Sequence, residues 1–378
     1  MKVLMITPWY PNSCNPLQGV FVRNHARAIK SAGVEIEVLA LTINPSTKWF
    51  QKKTYQYIDD EGVKVHMIEL NSRFHDYLYA NIYYQYWLLK KYFYRHIAKD
   101  FSPDVIHSAV IYPGAVLGHW LARRERKVHV ITEHWSKIDR FMRKMFFSRL
   151  GRAAYHDASR ISVVSEYLKR NVMQYAAEDK IKVIPNVVET EVFKYAARES
   201  GKSEKIAFTC VAIWKKPKRP DLLFSALQQV SPKLSKPVVL NVVGEGPMMD
   251  ELLARKWNFI INPVGNVDQK KLAEILKTTD YFLHASDHET FSLVIAEALS
   301  SGVPVLASGI GAIPELINEN NGLTCENTVA AWSEAIQDLV ARQDYDPYKI
   351  RELALRFDKV SIGKAFMDLY QDVLESNK

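Results

Sequence analysis

Glu289 and Glu297 stand eight positions apart, and the second is set in one of the most apolar stretches of the chain. Phe291, Leu293, Val294, Ile295 and Ala296 precede it, and Ala298 and Leu299 follow. Burying an unpaired carboxylate is costly, so Glu297 needs a partner or a ligand. Carboxylates accept hydrogen bonds, which suits this pair to holding sugar and ribose hydroxyls. A second candidate group lies upstream in Ile213-Trp214-Lys215-Lys216-Pro217-Lys218-Arg219-Pro220-Asp221, which gathers four cations into one loop. Fixed cations of this kind stabilise charge that develops on a departing phosphate.

These residues must be positioned by alternating strands and helices. Lys2–Thr7 reads as a buried strand, followed by a loop from Pro8 to Gly19, a helix from about Val20 to Ala32 and a strand Glu35–Leu41. That unit implies a parallel sheet. The pattern restarts at Lys205–Ala212, with a helix near Pro220–Val230 and a strand Pro237–Val243. The expectation is two doubly wound Rossmann-like domains, joined near Arg198–Ser203, with ligands in the cleft beyond the carboxyl ends of the strands. Asp280–Ser286 reads as a strand, Asp287–Phe291 as the loop after it, and Leu293–Ser300 as a helix N-capped by Ser292. Glu289 then sits at the ligand edge of the sheet, and Glu297 just over one turn into the helix. The free amides from Phe291 to Val294 make an anion site between the two acids. A nucleoside diphosphate sugar fits: phosphates on the amides, one carboxylate on the sugar, the other on the ribose diol.

The glycines after the strands do not make a nicotinamide site. Val243-Gly244-Glu245-Gly246-Pro247-Met248-Met249 has Met249 where the dinucleotide fingerprint needs its third glycine, and Gly309-Ile310-Gly311 also lacks one. Length and composition agree with two soluble domains: 378 residues, 48% hydrophobic and 24% charged. No apolar run is long enough to span a bilayer, and the N-terminal run Val3–Ile6 is too short for a signal peptide. Cys14, Cys210 and Cys325 are scattered, as in a reducing cytoplasm. The formal charge of +8 favours anionic partners. A nucleic-acid binder would carry a continuous basic stripe, whereas these cations cluster with aromatics or in the Lys215–Arg219 loop.

Glu289-Thr290-Phe291-Ser292-Leu293-Val294-Ile295-Ala296-Glu297 resembles the signature of the retaining glycosyltransferases of family 4, which share the two-Rossmann GT-B fold. Ser292 stands for the usual glycine. Gly302-Val303-Pro304-Val305, Gly311–Ile317 and Asn321-Gly322-Leu323 resemble further segments of the family. The resemblance implies that Glu289 contacts the donor sugar and Glu297 the ribose, with Phe291, Ser292, Leu293 and Gly244 in the donor site. It places Lys218 on the family's lysine and Asp221 on its aspartate. Ile213 replaces a customary arginine, which leaves Lys215 or Arg219 to compensate. Gly19 matches the glycine whose backbone approaches the phosphates. Thr132-Glu133-His134 matches a motif that puts His134 at the lip of the first domain, facing the sugar. Ile184–Glu189 is similar to another family segment but departs from it at Val187 and Glu189.

The fold implied is GT-B, with residues 1–195 as the acceptor-side domain, 196–356 as the nucleotide-sugar domain and a C-terminal helix in 357–378 packing back onto the first. The activity implied is transfer of a hexose-type sugar, with retention, to a glycan or lipid-linked acceptor in surface polysaccharide synthesis. No cofactor is expected, and no metal: Asp344-Tyr345-Asp346 reads as surface loop. No residue stands out as a covalent nucleophile. Two stretches suggest how the acceptor is met. Aromatics crowd Arg73–Ile97 beside Lys90, Lys91 and Arg95. Lys137–Arg152 carries six cations, one acid and Phe141, Met142, Met145, Phe146 and Phe147. Basic, aromatic helices of this type lie on anionic membranes, so a cytoplasmic protein with peripheral contact at the inner membrane face is expected. The rival for the aromatic run is an ordinary core helix. Rivals for the function are another GT-B enzyme, such as a sugar-nucleotide epimerase or a phosphorylase, and a non-catalytic subunit.

Overall fold

The apolar runs that open each half of the sequence become the central strands of two separate sheets. The computed structural model describes residues 1–135, 138–196, 204–342 and 344–377. Lys137 and the junction segment Arg198–Ser203 lie outside the described residues. The chain forms two compact units, Met1–Val187 with Lys359–Lys378, and Val188–Asp358. Residues 188–195, which the sequence suggested for the first half, belong to the second unit.

The first unit holds strands β1 (Lys2–Thr7), β2 (Glu35–Pro45), β3 (Gln51–Ile58), β4 (Lys64–Ser72), β5 (Val105–Ala109), β6 (Val128–Glu133), β7 (Arg160–Val163) and β8 (Ile181–Val183). Their order is β3-β4-β2-β1-β5-β6-β7-β8. All pairings are parallel except that of β3 with β4. Strand β1 is buried on both faces from Val3 to Thr7, as a covered parallel sheet requires. Edge strand β3 exposes Lys52 and Lys53, charges that discourage pairing with another chain. The helix Lys359–Glu375 returns to this unit and sinks Ile362, Phe366, Leu369, Tyr370 and Val373 into the core shared with Val22, Ala26 and Ile29. Gly363 allows the approach, because a Cβ there would stand 2.3 Å from the Ala28 carbonyl oxygen.

The second unit holds β9 (Ile206–Val211), β10 (Val238–Val243), β11 (Ile260–Gly265), β12 (Tyr281–His284), β13 (Val305–Ser308) and β14 (Gly322–Cys325). They form a six-stranded sheet, β11-β10-β9-β12-β13-β14, parallel throughout. The chain steps outward from β9 to β11, then crosses back to set β12 on the other side of β9. The loops leaving β9 and β12 therefore lie side by side at neighbouring strand ends. Such a reversal is where doubly wound sheets hold ligands. Phe208, Leu223, Phe224, Leu227, Leu240 and Trp332 pack one face of this sheet against its helices.

Candidate functional site

The loop after β9 carries the four cations, and the loop after β12 carries Glu289. The two loops are zipped together by backbone bonds from Asp287 N–H to the Pro217 carbonyl, 2.9 Å, and from Arg219 N–H to the Ala285 carbonyl, 3.1 Å. This seam brings the Lys218 ammonium onto the Glu289 carboxylate as a direct ion pair. His284, the last residue of β12, joins them. Its Nε2 lies 2.8 Å from Glu289 Oε1 and 3.2 Å from Lys218 Nζ. Burial alone would raise the Glu289 pKa, but the imidazole and the ammonium outweigh it and hold the acid at about 2. The imidazole itself is fully buried and is kept below its ordinary pKa by that burial and then by Lys218.

Glu297 has the opposite surroundings. The helix Leu293–Ser300 buries nearly every side chain around it, and Glu297 is 7% exposed. Among the described residues no cation lies within ion-pair distance of its carboxylate. The Gln269 amide reaches it at 3.5 Å. Burial, with Glu189 nearby, raises its pKa to about 8, against a small lowering by Gln269. Burial thus favours the protonated form of this group at neutral pH.

Other expected residues take positions the sequence did not show. Ser292 stands at the N-cap position but makes no capping bond, and its φ of 76° is in the left-handed region that favours glycine. Its hydroxyl points instead to His284 Nε2, at 3.4 Å. The Phe291 ring is buried, edge-on to Phe357 at 5.3 Å, so it anchors the loop from beneath. Leu293 is half-buried at the helix start. Arg219 is committed to Asp221 through a two-pronged contact, and also reaches Asp287 at 3.3 Å. Lys215 is exposed, as is Ile213 where the family's arginine is customary.

The glycines serve close packing. A Cβ on Gly244 would stand 2.0 Å from the Ala212 carbonyl oxygen, and one on Gly311 2.2 Å from that of Glu289. Gly311 thus presses directly on the loop that carries the first acid. A Cβ on Gly19 would meet the Trp9 carbonyl at 2.2 Å, and φ there is 64°. A hollow of about 370 Å³ opens at the carboxyl ends of β10 and β11, lined by Gly244, Glu245, Gly246 and Asp250. A larger one of about 570 Å³ lies beside Tyr281 and Pro304, at the amino ends of β12 and β13, the wrong edge of the sheet for Glu289 and Glu297.

In the first unit, His134 follows β6 as expected, but it is buried rather than open at a lip. Its ring packs 4.6 Å from that of Phe21 and 5.2 Å from that of His25. Burial first, then His25 and His107, keep it neutral, partly opposed by a hydrogen bond with Asn186. Its neighbour Glu133 accepts bonds from the backbone N–H groups of Ile111, His134 and Trp135 and from the Tyr155 hydroxyl. That carboxylate fixes the backbone on which His134 sits. Asp344 pairs with Arg342 at 2.9 Å, and Asp346 caps the helix Pro347–Ala354.

The two aromatic, basic stretches meet. Tyr83, on the helix Ile82–His96, and Phe146, on Met145–Asp157, lie 6.4 Å apart, and both are exposed. Met145 and Trp87 are exposed too, with Lys91 over the Trp87 ring. Leu88, Leu89 and Phe93 fill the core behind, as do Phe141 and Met142. Each stretch is thus core on one side and patch on the other.

Of these residues, His284 and Gln269 were not recognisable from sequence. A histidine closing an apolar strand was the one available signal for His284; nothing marked Gln269.

Residues 18–192 match the family model Glycosyltransferase Family 4, and residues 204–342 match Glycosyl transferases group 1. The chain is 23% identical over 309 residues to the alpha-monoglucosyldiacylglycerol synthase of Streptococcus pneumoniae, covering 74% of this chain and 69% of the relative. It is 22% identical over 408 residues to the putative teichuronic acid biosynthesis glycosyltransferase TuaC of Bacillus subtilis, across 100% of both. Among solved structures, Alr3699/HepE of Anabaena in complex with UDP superposes with a TM-score of 0.70 at 16% identity, covering 98% of this chain and 100% of that one. That likeness shows the fold.

Proposed function

The chain belongs to the family 4 glycosyltransferases, and from that premise we propose that it moves a hexose-type sugar from a nucleotide-diphosphate donor. The acceptor is a glycan or lipid-linked glycan of the bacterial cell surface, and anomeric configuration is retained. In this reading Glu297 accepts the ribose diol, and Glu289 accepts sugar hydroxyls. The phosphates meet the first amides of the Leu293–Ser300 helix, where no intrahelical acceptor competes. Lys218 and the exposed Lys215 oppose the charge that grows on the leaving phosphate. Arg219, held by two aspartates, orders the loop. The leaving phosphate acts as base on the face it departs from, so neither a carboxylate nucleophile nor a metal is required.

The observation that carries this reading is Glu297, an acid buried at the ligand edge of the sheet with no cation of its own among the described residues. Support also comes from the relatives' names, one for teichuronic acid biosynthesis and one for glucosyldiacylglycerol synthesis, and from the UDP held by the structural neighbour. The exposed Tyr83, Trp87, Met145 and Phe146, with Lys90, Lys91, Arg143 and Lys144 close by in sequence, suit peripheral contact with an anionic inner membrane. No described helix is long and apolar enough to cross one. Thermal-shift screening against UDP-, GDP- and ADP-sugars tests the proposal. Glu297→Ala is expected to abolish the shift given by the bare nucleotide, and Glu289→Ala to erase discrimination among sugars. Equal shifts from wild type and Glu297→Ala would refute the assignment.

A further inference from the structure

His284 has no role in the reading above, yet its Nε2 is the meeting point of the site. One nitrogen faces Lys218 Nζ at 3.2 Å, Glu289 Oε1 at 2.8 Å and Ser292 Oγ at 3.4 Å. These contacts make opposite demands. Toward Lys218 the nitrogen must present a lone pair, and toward Glu289 it must present a hydrogen. A neutral imidazole satisfies one of them at a time. Lys218 eases the conflict by donating directly to Glu289.

A bound donor changes the balance. A diphosphate carries more charge than one carboxylate, and the lysine stem is flexible enough to follow it. Glu289 would then be left at 13% side-chain exposure without a cation, which is strongly unfavourable. Among the described residues, only the imidazole is already within hydrogen-bonding distance to replace it. We propose that donor binding draws Lys218 from Glu289 onto the phosphates, and that His284 takes a proton from solvent to become the new cation beside Glu289. His284 is thus a positioning residue: it keeps Glu289 ionised and aimed at the sugar after the lysine has left. This rests on the site being one for a nucleotide-diphosphate sugar.

The charged groups around His284 agree with the exchange. Lys218 comes from the loop after β9, Glu289 from the loop after β12, and Glu297 lies further along the helix that Ser292 begins. The flanking strands β9 and β13 present one titratable side chain, the Cys210 thiol, which burial keeps un-ionised. Lys218 is the group whose charge holds the imidazole neutral, after burial itself, and Glu289 is the one that favours its cation. Moving the first while keeping the second shifts His284 toward protonation.

Calorimetric titration with UDP, GDP and ADP at pH 7.5, in buffers of low and high ionisation enthalpy, counts protons exchanged per nucleotide bound. On binding the diol Glu297 loses its proton to the buffer in wild type and in His284→Gln alike, so the difference isolates the imidazole. Wild type is expected to take up about half to one proton more than His284→Gln. Identical proton counts in two proteins that both bind would overturn the exchange. Should His284→Gln fail to fold, ring-¹⁵N-histidine spectra of wild type decide the matter: one imidazole is expected to pass from neutral to cationic on saturation, and no such passage overturns it. Absence of any binding heat in wild type would instead overturn the nucleotide-sugar reading, and this exchange with it.

Discussion

Replacing Glu297 by glutamine keeps shape and hydrogen-bonding capacity but removes a proton that the fold holds to about pH 8. The unfolded chain gives that proton up near 4.5, so the folded state binds more protons between those values. The stability this group contributes is complete below pH 4.5 and is lost as pH rises through 8. Each pKa unit corresponds to about 1.4 kcal/mol, so the loss grows to about 3 kcal/mol at pH 7 and about 5 kcal/mol above pH 8. The amide has no proton to lose. Glu297→Gln is therefore expected to match wild type near pH 5 and to be increasingly the more stable protein toward pH 9, while it loses nucleotide binding. Urea denaturation of both proteins across that range measures the gap. An infrared band from a protonated carboxyl, present at pH 7, fading near pH 8 and missing in the variant, gives the same answer independently. A gap that stays constant with pH would show that Glu297 is an ordinary ionised acid, and the argument for a ligand-dependent charge would fail.

Ser292→Gly removes a side chain from left-handed backbone and is expected to raise stability by about 1 kcal/mol in thermal unfolding; Ser292→Ala, which keeps the strain, is expected to gain nothing, and equal effects would refute the strain. Gly244→Ala places a methyl group against the Ala212 carbonyl and should cost about 2 kcal/mol or more, with weakened nucleotide binding because the Lys215–Arg219 loop shifts. An unchanged unfolding temperature would contradict that packing. Tyr83→Ser with Phe146→Ser is expected to weaken sedimentation with anionic vesicles several-fold and leave the thermal shift with nucleotide intact. Unaltered vesicle binding would dismiss the patch as the membrane contact.

The sequence by itself determined the elements and the chemistry they present. Periodicity and end signals placed the helices Pro220–Val230 and Leu293–Ser300 at their observed bounds, because a proline start, a glycine stop and an apolar stripe are local properties. The acid in an apolar helix was legible for the same reason. What the tertiary structure decided is which charges meet. Lys218 lies 66 residues from His284 and 71 from Glu289, and only the crossing from β11 back to β12 makes them neighbours. Loop-to-loop pairing likewise joined Arg219 to Asp287 as well as to its near neighbour Asp221, and helix packing enclosed His134 among the rings of Phe21 and His25. Electrostatic partners are chosen by distance in space, and a linear pattern carries no such distances. Hence two acids eight positions apart, alike on paper, came out as opposites: one ionised beside a lysine, the other inclined by burial to keep its proton.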